Sequence, residues 1–171
     1  MRVITGSARG RRLITLEGES VRPTADRVKE AMFSAVQFEI EGRSVLDLFA
    51  GSGQLAVEAL SRGAAKAVLV DAAKASLAVA EKNLTSTGLR DRARLVNSDF
   101  VAYLSSCRER FDLAFLDPPY RTGLLQRALP AVEKLMNPGG TILCGHPIDE
   151  TPPDAVGAFT KNRSHKNGKI M

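Results

Sequence analysis

Val45-Leu46-Asp47-Leu48-Phe49, followed by Ala50-Gly51-Ser52-Gly53, is a short apolar run that breaks into a glycine-bearing turn, and residues 54–62 continue at helical spacing. Strand, glycine turn and helix form the opening unit of a nucleotide-type α/β fold, and the rest of the chain repeats it. Ala67-Val68-Leu69-Val70-Asp71 reads as a second strand, with a helix over 73–87 closed by Gly88. A strand at 93–97, a short helix at 99–106, a strand at 111–116 and a helix at 122–136 follow. The last ends before Pro138-Gly139-Gly140, and Thr141-Ile142-Leu143-Cys144 is the next strand. This alternation predicts a Rossmann-like α/β fold with a mainly parallel, doubly wound sheet, because each parallel crossover needs a helix on one face. Ligands of such sheets bind at the carboxyl ends of the strands, and the polar sites after residues 49, 70, 98 and 116 all stand there. Upstream, residues 2–16 read as a small hairpin or extended arm, and Thr24 is placed to cap a helix over 25–38.

With 44% hydrophobic residues, 171 residues can bury a core without disulfides or metal. One domain is expected, made of a basic arm (1–20), a helix (21–38), a central core (44–146) and C-terminal strands (147–171). Cys107 and Cys144 match neither a redox pair nor a zinc pattern and are expected to be reduced, structural thiols. No apolar run approaches the ~18 residues of a membrane span, and no apolar stretch follows the N-terminal arginines, so a soluble, cytoplasmic protein is expected. The net charge of +5 is unevenly spread. Arg2, Arg9, Arg11 and Arg12 at one end and Lys161, Arg163, Lys166 and Lys169 at the other stand in segments without acids, which leaves 16 basic and 19 acidic residues between them. A slightly acidic body with basic ends suits a polyanion gripped by the ends, with Arg11 and Arg12 as candidate contacts. Two solvated termini would show the same charges.

Ala50, Gly51, Ser52 and Gly53 let a ligand lie against bare backbone. The spacing Gly51-x-Gly53-x-x-Ala56, with Asp71 twenty residues after Gly51, also satisfies a relaxed dinucleotide fingerprint. Two points favour S-adenosylmethionine. Asp47, just before the loop, would repel a pyrophosphate but attract ammonium and sulfonium charge, and a dehydrogenase of this length has little room for a substrate domain. Asp71, with Ala72 beside it, is placed to accept from both ribose hydroxyls. Asp99 is placed to accept from the adenine amine while Phe100 packs on the ring, the favoured reading, although Ser98 or Asp99 also makes an ordinary helix cap.

The strand over residues 111–116 ends in Asp117-Pro118-Pro119-Tyr120, the most specific signal in the chain. The prolines stiffen the turn and remove donors, leaving the Pro118 carbonyl as an acceptor beside the Asp117 carboxylate. Two acceptors hold both hydrogens of an exocyclic NH2, and Tyr120 offers a ring on which an unstacked base can lie. A base amine is a poor nucleophile because its lone pair is delocalised into the ring. Drawing on both N–H bonds favours a pyramidal nitrogen whose lone pair points at the sulfonium methyl. The reading is direct methyl transfer without metal or covalent intermediate.

Over nearly its whole length the chain resembles the RsmD-type small-subunit ribosomal RNA guanine-N2 methyltransferases of bacteria. The resemblance rests on Met1-Arg2-Val3-Ile4-Thr5-Gly6 with Gly10-Arg11-Arg12-Leu13, on Arg22-Pro23-Thr24-Ala25-Asp26-Arg27-Val28-Lys29-Glu30, on the run from Leu46 to Gly63, and on Asp117–Tyr120. It implies a class I methyltransferase fold, adenosylmethionine as donor, and N2 of a guanine in 16S ribosomal RNA, free or in a small-subunit assembly particle, as acceptor. A monomer is expected. Carried over, Thr24 would touch the donor, Asp117 would border both donor and base, and Arg22, Arg27 and Lys29 would face RNA. A DNA adenine-N6 methylase shares Asp117–Tyr120, but such enzymes usually carry a recognition domain for which this length leaves no room. A non-catalytic RNA-binding module of the same fold would not need that segment intact. The chain departs from the family at Cys144-Gly145-His146, where an acid is usual, at Asp71-Ala72, where glutamate is commoner, and at Asn167–Met171, which resembles only the beginning of the family's closing strand, so the chain is truncated or that strand short.

Overall fold

The computed structural model describes residues 1–16 and 23–162. Strands β1 (Ser44–Asp47), β2 (Lys66–Asp71), β3 (Ala93–Asn97), β4 (Phe111–Leu116) and β5 (Met136–Cys144) form one sheet in the order β3-β2-β1-β4-β5, every pair parallel. The helices are α1 (Pro23–Ala35), α2 (Gln54–Ser61), α3 (Lys74–Ser86), α4 (Phe100–Ser106) and α5 (Leu124–Glu133). From β1 the chain winds outward through α2, β2 and α3 to β3, then returns through α4 to β4 on the other side of β1. The strand order therefore reverses between β1 and β4, and a crevice opens at their carboxyl ends. This is a Rossmann-like, doubly wound arrangement.

Alternate strand residues feed two apolar layers. Val45, Ala67, Leu69, Leu113 and Phe115 pack with α1, α2 and α3, while Leu46, Leu48, Val68, Val70, Ala114 and Leu116 pack with α4 and α5. The period breaks once, at Asp112. Phe111 pairs with Met136, but Leu113 pairs with Thr141, so β5 takes five steps where β4 takes two. That bulge absorbs Pro138-Gly139-Gly140, and Asp112 pins it by accepting from Asn137 Nδ2 (3.0 Å) and from the Ser44 amide (2.9 Å). The sequence pattern carries α5 to residue 136 and begins the strand at 141. Instead the helix ends at Glu133, and Met136 is already on the sheet.

Helix α1 begins at Pro23, so Thr24 lies inside its first turn rather than ahead of it, and it stops at Ala35, short of the expected 38. Strands β6 (Ala155–Val156) and β7 (Phe159–Thr160) form a separate antiparallel ribbon. Arg22 and residues 163–171, with the expected closing strand, lie outside the described residues. Among those described, no helix is long and apolar enough to cross a membrane.

The N-terminal arm is a hairpin, bridged between Arg2 and Arg12, and it is docked. Val3, Ala8 and Leu13 are buried in the layer of α1–α3. Polar groups on the inner faces of helices hold its backbone. The Glu58 carboxylate, fully buried, accepts from the amides of Ile4 (2.9 Å) and Thr5 (3.1 Å), and Ser61 Oγ accepts from Ala8 N (3.0 Å). Asn83 exchanges hydrogen bonds with the Ile14 amide and carbonyl and donates to the Ser52 carbonyl (2.9 Å). One side chain thus joins the arm to the glycine turn after β1.

Candidate active site

The turn after β1 is tied to its neighbours at each step. Ala50 N donates to Val70 O (3.0 Å), Gly51 N to Asp71 Oδ2 (2.8 Å), and Gly53 N to Ala50 O (2.8 Å). Gly51 and Gly53 both have positive φ, 54° and 78°, which glycine adopts without strain. Gly53 has a second reason to be glycine. A Cβ there would come within 2.9 Å of Ala80 Cβ and 3.0 Å of Leu69 Cδ2, so its bareness lets α2 start tight against α3 and β2. The sequence alone assigns that bareness to the ligand. Ser52 Oγ and Gln54 Oε1, flanking this turn, are buried with no hydrogen-bond partner among the described residues. Orphaned polar atoms of that kind fit a site whose partner is a ligand.

Four carboxylates stand at the carboxyl ends of four neighbouring strands. Asp47 closes β1, buried, with Oδ2 near the Ala56 amide at 3.3 Å. Asp71 closes β2, and its second oxygen accepts from Ala73 N (2.8 Å). The Asp71 and Ala72 carbonyls both accept from Asn97 Nδ2 (3.0 Å each). Asp71 is thus held rigidly by one amide on each oxygen, leaving lone pairs for two hydroxyls. Asp99, after β3, is exposed and caps α4 through the Ala102 amide (3.0 Å), which is the ordinary role weighed for it. Phe100, half-buried, lies against Phe49 with centroids 5.4 Å apart, and the Arg127 guanidinium sits 5.4 Å from its ring centre. The sequence reading does not include Phe49 and Arg127; aromatic residues following β1 and β3 are the available signal.

Asp117 follows β4, which neighbours β1, so its segment leaves the sheet at the same edge as the glycine turn, on the other side of the switch point. Pro118 is buried, Pro119 exposed, and Asp117 and Tyr120 are half-buried. The turn is closed by Thr122 Oγ1 donating to Pro119 O (2.6 Å). Against Asp117 stands Gly145, whose amide donates to Leu116 O (2.9 Å), and a Cβ on Gly145 would overlap Asp117 Oδ1. The segment Cys144-Gly145-His146, where the resemblance leads one to expect an acid, thus lies beside one already present, and the missing side chain of Gly145 makes room for it. Burial pushes the Cys144 thiol up to about 12, away from the thiolate form. His146 is buried with Nδ1 2.9 Å from the Pro147 carbonyl. A carbonyl only accepts, so that nitrogen carries the proton when the bond is made.

Of the basic candidates, Arg11, Arg12 and Arg27 are exposed. Lys29 is not available to RNA. It is 1% exposed, donates to the Arg2 carbonyl (3.2 Å) and pairs with Glu58 (3.5 Å). Burial pushes its ammonium below the usual lysine value, and Glu58 opposes that shift. Thr24 is described only by its place in α1, and among the described residues no cluster of His, Cys, Asp and Glu could hold a metal ion.

A family model described as "Conserved hypothetical protein 95" matches residues 1–171. The chain is 35% identical over 173 residues to the putative rRNA methyltransferase YlbH of Bacillus subtilis, covering 98% of this chain and 94% of that one. It is 40% identical over 133 residues to ribosomal RNA small subunit methyltransferase D of Escherichia coli, covering 78% and 67%. The chain belongs to the RsmD family. A solved structure described as putative methyltransferase yhhF from Escherichia coli matches with a TM-score of 0.87 at 33% identity, over 99% of this chain and 93% of that one. Within the RsmD fold, the glycine turn and the Asp117 segment occupy the two sides of the strand-order reversal.

Proposed function

We propose that the protein transfers a methyl group from S-adenosylmethionine to the exocyclic N2 amine of a guanine in small-subunit ribosomal RNA. The observation that carries this reading is the adjacency of β1 and β4, which sets a glycine turn ringed by carboxylates beside Asp117-Pro118-Pro119-Tyr120. The names of the relatives point to the same chemistry. Asp71 would hold the donor's ribose, and Asp47 would favour its cationic end. Phe100 would border the adenine, and Asp117 with the Pro118 carbonyl would hold the amine hydrogens while the base lies on Tyr120. The donor supplies an electrophilic methyl, and the protein orients the amine toward it. The exposed arginines of the arm and Arg27 supply phosphate contacts of the sequence-independent kind. The test is transfer of labelled methyl to ribosomal RNA, to small-subunit particles and to DNA in parallel. Label in RNA or particles supports the reading; label confined to DNA, or to nothing, contradicts it.

Two variants probe the site. Asp71→Ala is expected to weaken donor binding by about 1.5–3 kcal/mol in calorimetry, the range for charge-assisted hydrogen bonds, and tight NADH binding without donor binding would reverse the cofactor assignment. Gly145→Ala forces the Asp117 carboxylate aside, because the new methyl overlaps its oxygen. Single-turnover transfer should fall about 10–100-fold, the scale of a misplaced catalytic group. A wild-type rate would show that Asp117 needs no fixed position.

A further inference from the structure

Arg121, the residue after Tyr120, is the one non-glycine among the described residues with positive φ, at 60°. An arginine seldom adopts this left-handed conformation, and such outliers concentrate where the surroundings fix them for a purpose. Two residues later the same turn uses Gly123, φ 71°, as the N-cap of α5. The turn therefore places a side chain where glycine would sit without strain. The backbone is held by Thr122 on the Pro119 carbonyl, so the guanidinium is the part free to move.

That guanidinium is weakly occupied. Nη2 meets Asp149 Oδ2 at 2.9 Å, with the side chains 71% and 61% exposed, and among the described residues none of its other donors is engaged. A solvent-exposed pair of this kind is worth little. A phosphate takes two parallel N–H bonds from arginine where Asp149 takes one. On the reading above, a nucleotide whose base lies at Asp117 and Tyr120 would run a flanking phosphate past the residue that follows them in the chain.

We propose that Arg121 clamps a backbone phosphate beside the acceptor base, and that Asp149 holds the guanidinium in the free protein and is displaced when RNA binds. This rests on the RNA methyltransferase reading above. Asp149 is then an internal competitor, so the two residues have opposite effects on RNA affinity and are coupled.

The test uses the full chain, with Arg121→Gly, Asp149→Asn and the double variant, and measures ribosomal RNA binding across a salt series together with donor affinity and methyl transfer. Arg121→Gly keeps the backbone conformation. It should weaken RNA binding at low salt, lower the salt slope by about one and leave donor affinity unchanged. Asp149→Asn should tighten RNA binding about 2–5-fold in the wild-type background, the scale of an exposed ion pair, and not at all in the Arg121→Gly background. An unchanged salt slope in Arg121→Gly overturns the clamp. Equal tightening by Asp149→Asn in both backgrounds overturns the competition, since it is then a general charge effect. Absence of methyl transfer to any RNA by the wild-type protein overturns the underlying reading instead.

Discussion

Replacing Asp117 by alanine is expected to slow methyl transfer by about 10²–10³-fold, the scale for removing one hydrogen bond made in the transition state. Asp117 stands at the end of β4 with Gly145 packed against it, so its carboxylate is positioned before the substrate arrives. Asp117→Asn separates two kinds of work. If the group accepts a hydrogen bond from the amine, the amide oxygen still accepts and part of the rate survives. If its charge must stabilise the developing ammonium or take its proton, asparagine is nearly as slow as alanine. The acceptor role is expected, because a guanine amine that has gained a methyl and a positive charge is strongly acidic and sheds its proton to water. Single-turnover rates at saturating donor and RNA decide this, once both variants are shown to bind donor normally. A wild-type rate in Asp117→Ala would remove the segment as the catalytic centre.

Glu58→Ala should be among the most destabilising single substitutions in the protein. The carboxylate is fully buried and serves four partners: the Ile4 and Thr5 amides, Arg62 at 2.9 Å and Lys29 at 3.5 Å. Arg62 also covers the Phe33 ring at 4.7 Å, so the network reaches the aromatic contact of Phe33 with Phe115. Removing the acid leaves the Lys29 ammonium buried with the Arg2 carbonyl as its remaining acceptor among the described residues, and one-sided removal of a buried ion pair costs about 3–5 kcal/mol. For a domain of this size that lowers Tm by roughly 10 °C. Glu58→Gln, which keeps an acceptor, should lose less, and a loss below about 1 kcal/mol in Glu58→Ala would show that the network is not holding the arm.

The residues that make the fold legible are those whose surroundings are uniform. Val45 and Leu46 on β1 with Leu48 just after it, Ala67–Val70 on β2 and Leu113–Leu116 on β4 are buried on both faces, so these apolar residues read as parallel strands. The end of α5 is not legible, because Leu135 and Met136 continue an apolar pattern and only pairing with Phe111 puts Met136 on the sheet. The docking of the arm is equally hidden. Its charges suggest a free basic segment, whereas Val3, Ala8 and Leu13 and the inner faces of α2 and α3 fix it in place.

Lys29 misleads for an identifiable reason. Within the charged motif around Asp26 to Glu30 every polar residue looks solvent-facing, but Lys29 is in helical phase with Met32 and Phe33 of α1, both buried. That stripe is the available signal. Glu58 and Asn83 follow the same logic, being polar residues on apolar helix faces. In the site, the strand-end carboxylates are legible from position alone, while Gly145 is not, since its role depends on the close approach of β5 to the end of β4.

The product of the proposed transfer is the decisive observable. RNA methylated by the purified protein with labelled S-adenosylmethionine can be digested to nucleosides and the labelled product identified. The expected product is N2-methylguanosine, abolished or nearly so by Asp117→Ala; label in an adenine, on a ribose or in no nucleoside would contradict the assignment.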